Sequence, residues 1–268
     1  MARRTLTALL LLAVIVPAVY LGGLAYFLVV AAFVGTSAWE YSLMFRRRAY
    51  RPSAVLTVVA VLLMLAARAF RPEAAPLLLT ACILVAICLH LLSFERGRDA
   101  AALDLVITLG GIIYLGWIAG YLIDLRQLPN GVWWSTLVLV VVWIADSAAY
   151  FVGVRFGRHK MLPRLSPRKS WEGYAAGIVA GTALAGLASR LFSQLAPVDL
   201  GFWAGLSLGL VLSTLTTLGD LSESLFKRFA GMKDSGAFLP GHGGAFDRID
   251  SLVWAGVLGY LWIRHVLL

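Results

Sequence analysis

The stretch from Gly219 to Asp250 carries Asp220, Glu223, Lys227, Arg228, Lys233, Asp234, His242, Asp247, Arg248 and Asp250, in a chain that is 60% hydrophobic and 14% charged. If the apolar run before it continues as a helix, Asp220, Glu223, Ser224 and Lys227 fall at i, i+3, i+4 and i+7. One face then presents two acids, a hydroxyl and a cation. The segment "LPGHGGAFDRID" follows, and its Gly241, Gly243 and Gly244 let the backbone approach a ligand closely. Asp247 and Asp250 stand one turn apart at the start of the last apolar run. Helix N-termini favour acids, which accounts for one of the two. It does not account for both together with His242, Arg248 and Lys233. Hard carboxylates without Cys and with few His favour magnesium over zinc. Lys and Arg beside them favour a phosphate substrate. Magnesium and cations around phosphates are the equipment of phosphoryl or nucleotidyl transfer.

Two other stretches could take part. In "WIADSAAYFVG", Asp146 follows a long apolar run, with Tyr150 one turn later on the same face. A carboxylate inside a span costs about 2.5–3.5 kcal/mol on insertion scales, so it needs a partner or a wet cleft. The plainer alternative is an Asp at the membrane surface reaching into the headgroups. In "RFGRHKMLPRLSPRKSWEG", six cations, Ser166 and two prolines lie between two apolar runs. They suit either an anchor on anionic lipid, at about 1 kcal/mol per cation, or a grip on polyphosphate that uses both the cations and the hydroxyls. There is no GxxxxGK[ST] phosphate loop and no nucleophile elbow.

These groups must be positioned by helices in lipid. The mean hydropathy is +0.85, and a soluble domain averages about a quarter charged residues. Spans of about 20 apolar residues are read at 5–20, 23–43, 53–70, 75–93, 102–123, 131–153, 173–192, 201–219 and 250–267. The expected fold is therefore an all-α polytopic bundle of about nine transmembrane helices. The first two spans are divided only by Leu21–Gly23 and the kink expected at Pro17, so one hairpin-like start is the alternative. The opening "MARRTLTALLLLAVIVPAVYLGG" resembles a secretory signal, but it lacks a convincing cleavage site and more apolar sequence follows. A retained first helix is expected.

The net charge of +9 raises nucleic acid as a partner, and its placement argues against it. With nine spans and the N-terminus inside, most Lys and Arg fall on one side, including Arg46–Arg48, Arg155–Lys169 and Lys227–Arg248. Only Arg68, Arg71, Arg126, Arg190 and Arg264 fall on the other. This is the positive-inside bias, and it turns both polar loops to the cytoplasm. Cys82 and Cys88 share one span and face different directions, which suits packing rather than a disulfide or metal. Residues 1–125 read as helices for packing, dimer or lipid contact. Residues 126–268 read as the catalytic region, with cytoplasmic loops 154–172 and 220–249. The small residues of "GYAAGIVAGTALAGLAS" let helices approach closely.

Ser224-x-x-Lys227-Arg228, then Lys233-Asp234, then Pro240-x-His242-Gly243-Gly244-x-x-Asp247-Arg248-x-Asp250 resembles the signature of the phosphatidate cytidylyltransferases, or CDP-diacylglycerol synthases. Ala245 departs from it, where a larger apolar residue is usual. "DSAAYFVG" and "GRHKMLPRLSPRKSWEG" are similar to the family's other polar stretches, with Arg168 where Lys is common. The resemblance covers about residues 140–250. It implies a dimeric membrane enzyme, its site open to the cytoplasm, that condenses CTP with phosphatidic acid. The products are CDP-diacylglycerol and pyrophosphate, and Mg²⁺ is required. A bacterial inner membrane is the expected location.

The resemblance also implies a role for each of these residues. The lipid phosphate, with a second pKa of about 6 by analogy with phosphorylated side chains, attacks the α-phosphorus of CTP with little need of a base. Asp220 and Asp247 hold the metal, and Asp146 is placed to support a second cation. Lys227, Arg228, Lys233 and Arg248 stabilise the triphosphate and departing pyrophosphate. His242, Gly243 and Gly244 contact phosphate oxygens. Ser166, Arg168 and Lys169, with Ser224 and Tyr150, grip CTP or the lipid phosphate. The rival of another class is a transporter that uses Asp146 and Asp220 for ion coupling. It predicts an internal repeat, and none is detected. A CTP-dependent lipid kinase or an alcohol phosphotransferase is the nearer rival, though the D-G-x-x-A-R pattern of the latter is absent.

Overall fold

In lipid, backbone groups must bond one another, so long apolar runs fold as helices. The computed structural model describes residues 2–195, 200–236 and 243–268, and is helical through most of them. The helices are α1 (Ala2–Leu21), α2 (Gly23–Arg46), α3 (Ala54–Phe70), α4 (Ala75–Glu95), α5 (Ala101–Gly111), α6 (Tyr121–Gln127), α7 (Gly131–Phe156), α8 (Trp171–Leu195), α9 (Phe202–Leu215), α10 (Thr217–Phe229) and α11 (Phe246–Trp262). A π-helical segment, Ile112–Ile118, follows α5, and another, Ile263–Leu267, follows α11.

The molecule is an all-α polytopic membrane protein. Among the described residues, six helices are long and apolar enough to cross a membrane: Gly23–Arg46, Pro72–Glu95, Ala101–Gln127, Gly131–Phe156, Trp171–Leu195 and Phe202–Phe229. The apolar helices Leu9–Leu21 and Ala54–Phe70 are shorter, as is α11 with 17 residues. That is why six reach spanning length where about nine were expected. α1 runs through Pro17, and the break before α2 falls at Gly22, whose φ of 64° suits a residue without Cβ.

The polar loop after α7 is not irregular throughout. Lys160–Leu162 (β1) and Ser166–Ser170 (β2) pair antiparallel, with Lys160 opposite Ser170 and Leu162 opposite Ser166. Strands of three and five residues, rich in cations and interrupted by Pro167, carry no alternation that would announce them.

The chain divides into two compact units. One comprises residues 1–124 and 226–249, the other residues 125–225 and 250–268. In the first, Val34, Ala38, Tyr41, Val61, Met64, Leu65, Ile112 and Leu115 form the buried interior. Aromatic rings bring the end of α10 and the start of α11 against α2. Tyr41 lies 5.5 Å from Phe226 and 6.3 Å from Phe246, edge to face. Gly111 allows α5 to approach closely, because a Cβ there would stand 2.8 Å from Thr57 and 2.9 Å from Tyr41. Two buried charges of this unit are ion-paired. Asp104 accepts from Arg98 Nε (2.8 Å) and from the Arg51 amide (2.7 Å), and Arg68 pairs with Asp124 between the rings of Trp117 and Tyr121.

The second unit is built on α7, α8 and α9 around Leu137, Val138, Val141, Val142, Leu208 and Leu212. Small residues set the helix spacing. A Cβ at Gly177 would meet the Ala145 carbonyl at 2.8 Å, and one at Gly209 would come within 3.0 Å of Thr182 Cα.

Candidate active site

α10 is a continuous helix from Thr217 to Phe229, so the i, i+3, i+4, i+7 face predicted for Asp220, Glu223, Ser224 and Lys227 is present. Its residues take part in two constellations, one in each unit.

In the second unit, the carboxylates of Asp220, Glu223 and Asp250 each offer an oxygen within 4.8 Å of the others. Glu223 is fully buried. Gly219 is what lets the two helices come together here. A Cβ at 219 would run into the Asp250 carbonyl and stand 2.8 Å from Trp254. Asp220 is also bound from the β2 side, where Lys169 Nζ lies 2.7 Å from its Oδ2. Ser224 Oγ donates to Oδ1 at 3.3 Å. Asp146 is exposed, and its charged neighbours are Lys169 and Asp220. Three carboxylates collected around so small a volume repel one another unless a cation joins them. The donor set is oxygen only, which fits a hard divalent cation.

In the first unit, Lys227 Nζ stands 2.6 Å from Asp247 Oδ1, and both side chains are largely buried. The other oxygen of Asp247 accepts from the Ser235 amide (2.8 Å), the Ser235 hydroxyl (2.9 Å) and the Gly244 amide (2.9 Å). Gly243 turns the chain with φ of 83°, and a Cβ there would stand 2.8 Å from the same oxygen. Burial pushes the Asp247 carboxyl up. The hydrogen bond and charge of Lys227 and the amides of Gly244 and Ser235 outweigh it and hold the group below the usual carboxylate range.

The remaining predicted residues are placed as follows. Arg228, Lys233 and Arg248 are exposed, and Arg228 donates to the Met232 carbonyl at 3.3 Å. Ser166 and Arg168 sit on β2, with Arg168 exposed. Tyr150 is exposed on α7 and packs edge to face with Phe151 at 5.6 Å. His242 lies outside the described residues. Asp220 and Asp247 were expected to hold the metal; the acids grouped with Asp220 are Glu223 and Asp250, whereas Asp247 is bound to Lys227. Glu40 and Ser235 went unnoticed in the sequence. The signal for Glu40 was present: a lone carboxylate in the apolar run of α2.

A polytopic helical membrane protein with a three-carboxylate cluster and a buried lysine–aspartate pair is the class that this fold and these sites define. The chain belongs to the cytidylyltransferase family, whose family model matches residues 2–266. It is 42% identical to the phosphatidate cytidylyltransferase of Brucella suis over 188 residues, which are 69% of this chain and 65% of that protein. It is also 42% identical to the one from Bacillus subtilis over 143 residues, 53% of this chain and 52% of that protein. Against the one from Haemophilus influenzae, identity is 41% over 126 residues, 47% of this chain and 44% of that protein. The matches thus span about half to two thirds of the length of these relatives.

Proposed function

We propose that the chain is a CTP:phosphatidate cytidylyltransferase, condensing CTP with phosphatidic acid to CDP-diacylglycerol and pyrophosphate. The observation that carries this reading is the Asp220–Glu223–Asp250 cluster in a chain of the cytidylyltransferase family. The names of the relatives from three bacteria support the choice of substrates.

Asp220, Glu223 and Asp250 would hold Mg²⁺, with Asp146 nearby to support a second cation. Bound there, the ion would supply charge neutralisation for the triphosphate. The other steps belong to the chain itself. Lys169, held at Asp220, brings a cation to the same place, and Ser166, Arg168 and Ser224 add donors for phosphate oxygens. Lys227, oriented by Asp247, together with Arg228, Lys233, Arg248 and His242, would offset charge on the departing pyrophosphate. The amides of Gly243 and Gly244 and the hydroxyl of Tyr150 are further donors to substrate. The attacking lipid phosphate is already anionic near neutral pH, so no buried base is required of the protein.

Residues 1–125 would serve packing, dimer or lipid contact, and residues 126–268 the chemistry, with loops 154–172 and 220–249 facing the cytoplasm. That orientation is supported by the positive-inside bias, and bacterial relatives favour the inner membrane. The test is purified protein in detergent with Mg²⁺, phosphatidic acid and labelled CTP. Appearance of CDP-diacylglycerol with wild type and its loss with Asp220→Asn is the expected result. An active Asp220→Asn enzyme would sink the metal assignment.

A further inference from the structure

Glu40 lies in α2, a helix of spanning length, and is only 6% exposed. A carboxylate so placed is costly unless its oxygens are satisfied. Both are. Oε1 accepts from the Ala245 amide at 3.1 Å, and Oε2 from the Phe246 amide at 3.0 Å and the Ser235 hydroxyl at 2.9 Å. Two of these donors are amides at the start of α11, where a helix presents unpaired N–H groups and favours negative charge. The acid that caps α11 thus comes from a helix some two hundred residues earlier in the chain.

The glycines around it are fitted to this contact. A Cβ at Gly236 would collide with Glu40 Oε1, and one at Gly244 with Glu40 Oε2 and the Ser235 hydroxyl. Ser235 is the shared element, because its hydroxyl is 2.9 Å from Glu40 Oε2 and equally 2.9 Å from Asp247 Oδ2. A hydroxyl carries a single hydrogen, so the two carboxylates are coupled through it. The chain of contacts runs Glu40, Ser235, Asp247, Lys227.

We propose that Glu40 is the positioning residue for the Lys227–Asp247 pair: it anchors residues 235–236 and 244–246 to α2 and thereby sets the place and hydrogen bonding of Asp247. The effect on turnover rests on the cytidylyltransferase reading, whereas the anchoring itself does not.

The experiment uses the full chain in detergent and compares wild type, Glu40→Gln, Ser235→Ala and the double variant. Amide hydrogen exchange at Ala245 and Phe246 reads the anchor without reference to activity. It is expected to speed up about tenfold or more in Glu40→Gln. CDP-diacylglycerol synthesis reads the consequence. The expected result for each single variant is a kcat about tenfold lower with KM for CTP changed by less than about twofold. The double variant loses no more than the worse single one, because the two residues act through one link. Unchanged exchange, or fully additive losses, would overturn the proposal. Should Glu40→Gln not fold, Ser235→Ala alone decides, and undiminished kcat there overturns it. Wild-type protein that makes no CDP-diacylglycerol, yet shows exchange protected by Glu40, would count against the reaction and leave the anchor standing.

Discussion

Lys227 Nζ stands 2.6 Å from Asp247 Oδ1, joining the last turn of α10 to the first turn of α11 in the first unit. Breaking such a buried pair leaves an uncompensated charge, which costs roughly 3–5 kcal/mol. Asp247→Asn and Lys227→Met should each lower thermal stability markedly. Each should also reduce turnover by about a hundredfold or more, the scale of losing an electrostatic contact to the reacting phosphates. Thermal melts and the labelled-CTP assay check both. A variant with near-normal turnover would remove the pair from the chemistry.

The pH dependence of stability has a definite sign at Asp247. Its carboxyl is depressed in the folded protein, so the unfolded state takes up the proton first as pH falls. The stabilisation is complete above the ordinary carboxylate pKa and is lost as pH falls through the lower folded value. Melting temperature should therefore hold from neutral pH down to about 5 as far as this group is concerned, and fall only in stronger acid. In Asp247→Asn, that acid-side component should be absent. A melt series across pH on both proteins tests it.

The three acids of the second unit should act as one binding site. Asp220→Asn, Glu223→Gln and Asp250→Asn are each expected to weaken divalent-cation binding by about ten- to a hundredfold. A chelator should abolish synthesis by the wild type, and added Mg²⁺ should restore it. Calorimetric titration of each variant with Mg²⁺ gives the affinities. An Asp250→Asn protein that binds like wild type would take Asp250 out of the set.

Gly219 tests the geometry that assembles those acids. Gly219→Ala places a methyl against the Asp250 carbonyl and the Trp254 ring, and backbone cannot yield as a flexible side chain does. The expected cost is about 1–3 kcal/mol, with Mg²⁺ affinity falling alongside it. If the variant kept both stability and affinity, the close approach at 219 would not be what brings Asp220 and Asp250 together.

The amino-acid sequence by itself determined the kind of protein this is. Apolar runs of spanning length admit only helices in lipid, and acids, cations and glycines at spacings such as Asp220–Lys227 and Gly243–Asp250 are legible without a fold. Local geometry went with them, because i, i+3, i+4 and i+7 share a face on any helix. Pairing was a different matter. Asp247 is one turn from Asp250 in sequence, yet one binds Lys227 while the other is grouped with Asp220 and Glu223. That choice depends on directions set by packing, such as the contact at Gly219, and no spacing rule contains it. Glu40 makes the same point at longer range. Its residue type announced a buried charge in need of partners, but the partners lie at Ser235, Ala245 and Phe246. Contacts so distant in sequence exist only once α2 and the start of α11 have packed, with Tyr41 and Phe246 in ring contact beside them. The β1–β2 hairpin was hidden for a third reason: its short, cationic strands pair through backbone hydrogen bonds, which side-chain patterns do not record.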